Sequence, residues 1–153
     1  MSAGTNVELM VQRSLTHCAP LFAQAVQDAI DQCNAEGLDA YVYESVRSNA
    51  LQHLYYERGV TRAKDALHGW HFFGLAVDVI SQSRGWEVST AWRRRVTEIF
   101  KEHGLKWGGD WPTFKDPPHY QWGKCKNSPS DRARELYAEG GLPLVWRVVG
   151  AAA

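Results

Sequence analysis

The apolar residues between positions 18 and 35 recur every three or four residues, which is the spacing of one face of an amphipathic helix. The residues on this face are Leu21, Phe22, Ala25, Val26, Ala29, Ile30 and Cys33. Thr16 is placed to cap the helix, Pro20 falls within its first turn, and Gly37 stands just past its end. The pattern therefore predicts a first helix with one face buried in the core.

The next segment has the composition of a strand followed by a short helix. Residues 40–46 are rich in aromatic and β-branched side chains, which favour an extended backbone. Ser48 can cap a short helix that runs through Tyr56 and is ended by Gly59. Residues 60–70 have no clear period and are predicted to form a loop.

A second strand is predicted over residues 75–80, an apolar run that contains one charged residue, Asp78. A helix over residues 90–103 follows a turn-rich stretch. Its inward-facing residues are predicted to be Val96, Ile99 and Phe100. The basic triplet 93–95 is expected to point mostly to solvent. Residues 119–122 alternate in the manner of a third strand.

Turn and helix signals dominate the C-terminal part of the chain. Residues 107–111 have the sequence of a tight turn. Residues 128–131 predict a helix start with proline at the first position, and the helix should run to about Glu139, where Gly140 and Gly141 end it. Residues 144–149 are expected to form a short strand or a packed tail. Together these elements predict an α+β fold in which helices pack against a small antiparallel sheet.

Composition fits an ordinary globular protein. The 153 residues are 44% hydrophobic and 22% charged, so one domain over residues 1–153 is expected. With 17 basic and 17 acidic side chains, the formal net charge is zero, which argues against a broad electrostatic grip on nucleic acid or an anionic membrane. Of the seven tryptophans, most should pack in the core or at its rim, and a minority should line a substrate groove.

The cysteines and the N-terminus indicate a reducing compartment. Cys18 and Cys33 would lie on one helix, about 22 Å apart at a rise of roughly 1.5 Å per residue, so they cannot form a disulfide with each other. All three cysteines are expected to be reduced and non-catalytic, although Cys125 lies close enough to the motif at 116–119 to leave a functional thiol open. Residues 1–12 lack the pattern of a signal peptide, and no apolar run approaches the roughly 18 residues of a membrane span.

Two histidines and one aspartate are the candidate metal ligands. His71, Asp78 and His119 offer two imidazoles and a carboxylate, a set that suits zinc with a fourth position open to water. Asp78 lies in an apolar run, where an unpaired carboxylate carries a large desolvation cost. A buried salt bridge or a turn cap is the alternative for Asp78. Asp116 is a spare carboxylate placed as a general base, or alternatively it initiates an Asp-Pro turn.

The other polar candidates are less specific. Arg47, at the end of the first predicted strand, could hold a substrate carboxylate with two hydrogen bonds or form a surface ion pair. His68 could contact substrate or replace a ligand, but a loop histidine is the simpler interpretation. The remaining histidines are expected to be structural or exposed: His17, His53 and His103.

Four motifs taken in order are similar to those of the D-Ala-D-Ala metallopeptidase superfamily. They are residues 43–48 with Gln52, residues 70–78, residues 107–111 and residues 116–121. The superfamily includes the vancomycin-resistance-type carboxypeptidases and shares a fold with the signalling domain of hedgehog proteins. The combination of Trp-Gly-Gly-Asp-Trp with Asp-x-x-His most resembles phage endolysins that are L-alanyl-D-glutamate peptidases. The resemblance covers about residues 38–123.

This resemblance implies a site and a chemistry. It implies zinc on His71, Asp78 and His119, a catalytic base at Asp116 and a substrate-orienting role for Arg47. It also implies the hedgehog and D-Ala-D-Ala metallopeptidase type of α+β fold. One departure is Gly69, which stands where the family usually has serine, so a hydroxyl near the substrate is missing.

The leading functional hypothesis is a zinc peptidase that cuts the peptide stem of bacterial peptidoglycan between L-Ala and D-Glu during phage lysis. It is expected to be a monomer, made in the host cytoplasm and acting in the periplasm after another protein opens the inner membrane. Because no wall-binding domain is evident, a Gram-negative host is expected. The alternatives are a D-Ala-D-Ala carboxypeptidase or dipeptidase, a non-catalytic zinc-binding domain of hedgehog type, and a structural phage component.

Overall fold

The computed structural model describes residues 10–61, 63 and 65–153. In these residues the helices are α1 (Pro20–Ala35), α2 (Asn49–Glu57), α3 (Thr90–Glu102) and α4 (Asp131–Val148). The strands are β1 (Ala40–Glu44), β2 (Ala76–Ser81), β3 (Leu105–Trp107) and β4 (His119–Trp122), and short 3-10 turns span Ala66–His68 and Gly108–Asp110. Most of the segment 1–12, which the sequence predicts not to be a signal peptide, lies outside the described residues.

The four strands form one antiparallel sheet in the order β1-β2-β4-β3. Asp78 in the middle of β2 pairs with Glu44 on one side and with His119 on the other. Directly paired residues of an antiparallel sheet point to the same face. The register therefore places three polar side chains in one row across the sheet.

The opposite face of the sheet carries the core. Val77, Val79 and Tyr120 are fully buried there, and Phe100 of α3 packs on Tyr120 with ring centroids 4.4 Å apart. The amphipathic helix α1 buries its apolar face in the same cluster, including Phe22. This arrangement confirms the predicted α+β class, with helices packed against a small antiparallel sheet.

Two helix boundaries differ from the prediction. Thr16 does not cap α1, because the helix begins at Pro20 with Ala19 at the N-cap position and no side-chain cap. The helical conformation is interrupted at Gly141, in agreement with the predicted stop at Gly140 and Gly141, but helix resumes after it, so the prediction of a strand or packed tail over residues 144–149 is wrong. The chain bends at Gly141, and Pro143 then stands near the start of a second helical piece, where a missing backbone N–H is tolerated.

Arg93 was predicted to face solvent with its neighbours, and this was wrong. Its side chain is only 8% exposed and donates hydrogen bonds to the Val79 carbonyl (3.0 Å) and the Tyr120 hydroxyl (3.3 Å). The reason is that α3 crosses the back of the sheet, so one residue of the triplet must point at β2 and β4. Arg95, by contrast, pairs with Glu36 near the surface.

The cysteines are free and buried: Cys18, Cys33 and Cys125. Burial raises the pKa of Cys18 and of Cys125 to about 12, so neither thiol is a nucleophile near neutral pH. Among the described helices, none combines the length and apolar character needed to cross a bilayer.

Candidate metal centre and active site

His71, Asp78 and His119 converge on one side of the sheet. Asp78 and His119 are neighbours on β2 and β4, and His71 lies in the turn that leads into β2. One ligand atom from each residue lies within 4.8 Å of the others. The two histidines are 4% and 5% exposed, and the Asp78 side chain is 13% exposed. The structure thus brings together the three residues that were predicted as ligands, in a place with little access to water.

A glycine sets the position of His71. Gly74 has a φ of +69°, and a Cβ there would lie 2.9 Å from the His17 carbonyl oxygen and 3.1 Å from the Cα of Cys18. Only glycine adopts this conformation without strain while allowing so close a backbone approach. The chain therefore turns sharply at Gly74 as it enters β2, and the turn that contains His71 packs against the segment before α1.

Hydrogen bonds on the outer side of each imidazole determine which nitrogen faces the centre. His71 Nδ1 lies 2.9 Å from the Ser45 carbonyl oxygen, which can only accept, so Nδ1 carries the proton. His119 Nε2 donates to Gln121 Oε1 at 2.7 Å, and Gln121 Nε2 donates in turn to the Lys126 carbonyl at 2.8 Å. The inward atoms, His71 Nε2 and His119 Nδ1, are therefore lone-pair donors.

Asp78 completes a set of atoms that fits a divalent cation. Its Oδ1 lies 3.4 Å from His71 Nε2 and 3.7 Å from His119 Nδ1. This oxygen is buried and has no hydrogen-bond partner in the described part of the chain. These three electron-rich atoms repel one another, so their arrangement is unfavourable unless a cation lies between them. Two imidazole nitrogens and one carboxylate oxygen suit a zinc-like ion.

Electrostatics keep Asp78 in the form that binds metal. Burial by itself raises the pKa of Asp78, but in the metal-free site positive charge and hydrogen-bond donation from the His71 and His119 imidazoles outweigh burial and hold the pKa well below its usual value. A bound cation would supply the same positive charge and leave the inward nitrogens free to act as ligands. The carboxyl group is therefore ionised at neutral pH, as a metal ligand must be.

Asp116 lies at the edge of the ligand group, with its Oδ2 3.8 Å from His119 Nδ1. Its side chain is 38% exposed. Burial, and then the charge of Asp78, raise the pKa of Asp116, although His119, His71 and Arg47 act in the opposite direction. A carboxyl group with a raised pKa and access to the cleft is well suited to accept a proton and return it.

Gly108 makes room for both Asp116 and His119. A Cβ on Gly108 would lie 2.5 Å from the Asp116 carbonyl oxygen and 3.0 Å from the Cβ of His119. The Gly108 carbonyl also accepts a hydrogen bond from the Asp116 backbone N–H at 3.0 Å. The segment 107–111, predicted as a tight turn and as one of the family motifs, therefore packs directly against two candidate site residues.

The two tryptophans of this segment hold the same loop. Trp107 Nε1 donates to the Pro117 carbonyl at 2.6 Å, and Trp111 packs against His119 with ring centroids 4.9 Å apart. A side chain at Gly109 would collide with the Trp107 ring. The motif thus fixes both ends of the segment that connects Asp116 to His119.

Replacing Gly108 with alanine should displace this segment. Because a shift of about 1 Å in a catalytic group can cost on the order of 100-fold in rate, we expect a loss of that size in kcat, together with weaker zinc binding. Substrate turnover and chelator competition for the bound metal would measure the two effects.

Gly104→Ala is the control, because Gly104 has a φ of +83° but open space around it. That variant should lose stability and keep its zinc affinity. Wild-type turnover and zinc affinity in Gly108→Ala would show that the close approach does not matter.

Arg47 is buried, at 7% exposure, which excludes the surface ion pair considered for it. Its Nε donates to Glu44 Oε1 at 2.9 Å, its Nη2 contacts the same oxygen, and its Nη1 donates to Gln52 Oε1 at 2.9 Å. The guanidinium lies over the Tyr55 ring, and its Nη2 is 3.7 Å from Asp78 Oδ2. Glu44 therefore holds the edge formed by Nε and Nη2, Gln52 holds Nη1, and Nη2 is also the nitrogen that lies nearest to Asp78.

Three polar residues around this group lie in the motifs that carry the resemblance but were assigned no role from the sequence: Glu44, Gln52 and Gln121. Two of them carried a usable signal. Gln121 is two residues from His119 on a predicted strand, so both had to share a face. Glu44 is a charged residue within a predicted strand, as Asp78 is, and burying such a residue is costly unless it is paired.

The other histidines lie outside the ligand group. His68 is exposed and its Nδ1 lies 2.7 Å from Asp65 Oδ1, although it also lines the cleft. His17 and His53 are exposed, and His103 bonds to Gln32 at 2.9 Å. These positions agree with the expectation that these histidines are exposed or structural.

A cleft of about 630 Å³ opens over the ligand group and Asp116. This is within the range of roughly 300–1,000 Å³ typical of small-molecule sites. Three tryptophans contribute to its lining: Trp70, Trp86 and Trp111. Phe114, which has a φ of +48°, and Val60 expose apolar surface on its rim. The cleft therefore combines a polar floor with apolar walls.

Comparison with known proteins points to the same family as the motifs. Residues 62–122 match a family model described as D-alanyl-D-alanine carboxypeptidase. The chain is 31% identical over 104 residues to peptidoglycan L-alanyl-D-glutamate endopeptidase CwlK of Bacillus subtilis (strain 168), covering 56% of this chain and 62% of that protein. It is 29% identical over 103 residues to the L-alanyl-D-glutamate peptidase of Listeria phage A118, covering 64% and 35%. The chain thus spans less than two thirds of the length of both relatives.

The fold has solved counterparts. The L-Ala D-Glu endopeptidase ChiX of Serratia marcescens superimposes with a TM-score of 0.58 at 21% identity, covering 77% of this chain and 93% of that one. At this identity the likeness concerns the fold. Together with the family match and the curated relatives, it confirms the resemblance to the D-Ala-D-Ala metallopeptidase superfamily.

Proposed function

We propose that this chain, which resembles the D-Ala-D-Ala metallopeptidases in sequence and in fold, is a zinc-dependent peptidase of the peptidoglycan stem. The observation that carries the proposal is the convergence of His71 Nε2, Asp78 Oδ1 and His119 Nδ1 next to Asp116. The names of the two curated relatives support the L-Ala–D-Glu bond as the one that is cut. In this proposal residues 1–153 form a single zinc peptidase domain.

His71, Asp78 and His119 would hold the zinc ion. When bound, zinc supplies a Lewis acid that activates water and polarises a carbonyl group. The hydrogen bonds from His71 to Ser45 and from His119 to Gln121 keep the ligand nitrogens unprotonated and correctly directed. The cleft above the ligands leaves room for water and substrate, which is the arrangement of a catalytic site and not of a closed structural one.

Asp116 would carry the proton through the reaction. Its carboxylate accepts a proton from the attacking water as the new bond to the scissile carbonyl carbon forms. The resulting carboxylic acid then gives that proton to the leaving amine nitrogen as the C–N bond breaks. Asp116 ends the cycle ionised, so no further acid or base is required.

Arg47 would orient the substrate. Glu44 and Gln52 fix the guanidinium, and the end that faces Asp78 is directed at the cleft. A positive group held in this way can donate to a substrate oxygen without the entropy loss of ordering a free side chain. The positive charge also favours a substrate that carries carboxylates, as the peptidoglycan stem does.

A D-Ala-D-Ala carboxypeptidase is the second candidate, and the description of the matching family model favours it. The metal ligands and the base would have the same roles. The difference lies in which bond of the stem enters the cleft. In a non-catalytic zinc-binding domain, which is the remaining alternative, Asp116 would have no catalytic role and would be dispensable.

Digestion of purified peptidoglycan would test the proposal. We expect fragments with a free L-Ala carboxyl group and a new D-Glu amine, and we expect a chelator to suppress them and added zinc to restore them. Loss of terminal D-Ala alone, seen by mass spectrometry, would support the carboxypeptidase. Zinc binding without any new fragment would support the non-catalytic domain.

The biological setting is proposed on the same basis. The relative from Listeria phage A118 supports an endolysin that degrades the host cell wall. Such an enzyme would be made in the host cytoplasm and would reach the wall as a monomer once another protein has opened the inner membrane.

A further inference from the structure

Trp86 is an exposed aromatic residue that the proposed mechanism does not use. Its side chain is 52% exposed and lines the cleft. The ring packs edge-to-face on Tyr43, with centroids 4.7 Å apart and an interplanar angle of 71°. Arg13 supports Tyr43, since its guanidinium lies 5.0 Å from the Tyr43 ring and its Nε donates to the Tyr43 carbonyl at 3.2 Å. The indole is thus held in place by neighbours while one surface stays open.

The cleft has two walls that come from opposite edges of the sheet. Trp86 follows β2 and packs on β1, which is one edge strand. Asp116, Trp111 and Phe114 belong to the connection between β3 and β4, and β3 is the other edge strand. A substrate that crosses the ligand group from one wall to the other therefore meets Trp86 on one side and Asp116 on the other.

The position of Asp116 sets the direction of the substrate. The leaving amine must come within hydrogen-bond reach of the acid that protonates it. The amine half of the scissile bond, beginning with D-Glu, consequently lies towards the wall that contains Asp116. The acyl half, ending with L-Ala, lies towards the wall that contains Trp86.

We infer that Trp86 forms a saccharide subsite which recognises the N-acetylmuramyl group attached to L-Ala. This inference rests on the proposed function and specifies the substrate further. In peptidoglycan an amide bond joins the amino group of L-Ala to the carboxyl group of the lactyl substituent of the sugar, so the sugar is the next group on the acyl side. The C–H bonds of a pyranose ring give it an apolar face, which matches the exposed flat surface of an indole.

Two substrates that differ only in the sugar test the inference. One is N-acetylmuramyl tetrapeptide, and the other is the same tetrapeptide with an acetyl group on L-Ala. The wild-type protein should cut the first with the higher kcat/KM. Trp86→Ala should reduce kcat/KM about fivefold to tenfold for the sugar-bearing substrate and leave the acetylated peptide unchanged. Trp86→Phe, which retains a flat ring, should recover most of the loss.

The controls separate this inference from the proposed function. Val148→Ala removes an exposed apolar side chain, 56% exposed, that does not line the cleft, and it should change neither rate. If Trp86→Ala lowers both rates equally or neither, the saccharide subsite is wrong while the peptidase assignment stands. If the wild-type protein cuts neither substrate with zinc present, the proposed function itself fails.

Discussion

Asp116→Asn is expected to abolish measurable turnover of peptidoglycan while leaving the metal bound. Asparagine has the same shape but cannot accept the proton of the attacking water or return it to the leaving amine. General acid–base groups contribute about 100-fold to 10,000-fold in rate, and here one group would do both steps, so the loss should lie at the upper end. The proposed ligands His71, Asp78 and His119 are unchanged, so the zinc content should equal that of the wild-type protein. Release of soluble muropeptides and metal analysis of the same sample would measure the two quantities.

Asp110→Asn is the matched control for this variant. Asp110 lies in the same segment, but its carboxylate pairs with Lys101 at 2.6 Å and is 54% exposed. The control should keep wild-type activity, since an exposed pair of this kind contributes little to stability. If Asp116→Asn retained muralytic activity, Asp116 would not be the base. A simultaneous loss of zinc would point instead to Asp116 as a metal ligand.

Asp78→Ala should remove the metal and, with it, the activity. The variant loses the one anionic donor of the ligand set and leaves two neutral imidazoles, which cannot match the affinity of three ligands for zinc. We expect no zinc to remain after dialysis against a mild chelator and no peptidoglycan cleavage at stoichiometric zinc. Circular dichroism would verify that the variant is folded.

Gln121→Met provides a graded comparison. Gln121 does not contact the ligand centre but accepts the Nε2 proton of His119 at 2.7 Å. Losing such an outer hydrogen bond typically weakens metal affinity by about 10-fold to 100-fold, so this variant should bind zinc between wild type and Asp78→Ala. Wild-type affinity in Asp78→Ala would contradict the assigned ligand set. Wild-type affinity in Gln121→Met would mean that the tautomer of His119 is fixed by something else.

The sequence pattern was informative where local chemistry decides the structure. Ser48 was predicted to cap a short helix, and its hydroxyl accepts from the Leu51 backbone N–H at 3.1 Å. A charged residue in an apolar strand marked Asp78, because burying a carboxylate is costly unless something compensates it. The catalytic role of Asp116 and the substrate role of Arg47 stay predictions.

The errors occur where a contact with a distant segment overrides the local pattern. Arg93 stands in a basic triplet that favours solvent, but α3 packs across the sheet and turns it inward. The strand β3 has only three residues, too few for a period to be recognised, and it exists because β4 lies beside it. Residues 144–149 could not be assigned to a helix, because Gly141 and Pro143 together give the signal of a stop.

The amino-acid sequence by itself thus determined the types and positions of the helices and longer strands and the α+β class. It also determined which residues were chemically able to bind a metal. These depend on residue chemistry and on spacing within a few turns. Only the tertiary structure decided the pairing of Asp78 with Glu44 and His119, the protonated nitrogen of each imidazole, and the exposure of Trp86 over the cleft. Each of these depends on groups from separate segments meeting at hydrogen-bonding or van der Waals distance, and no local pattern in a single sequence encodes that distance.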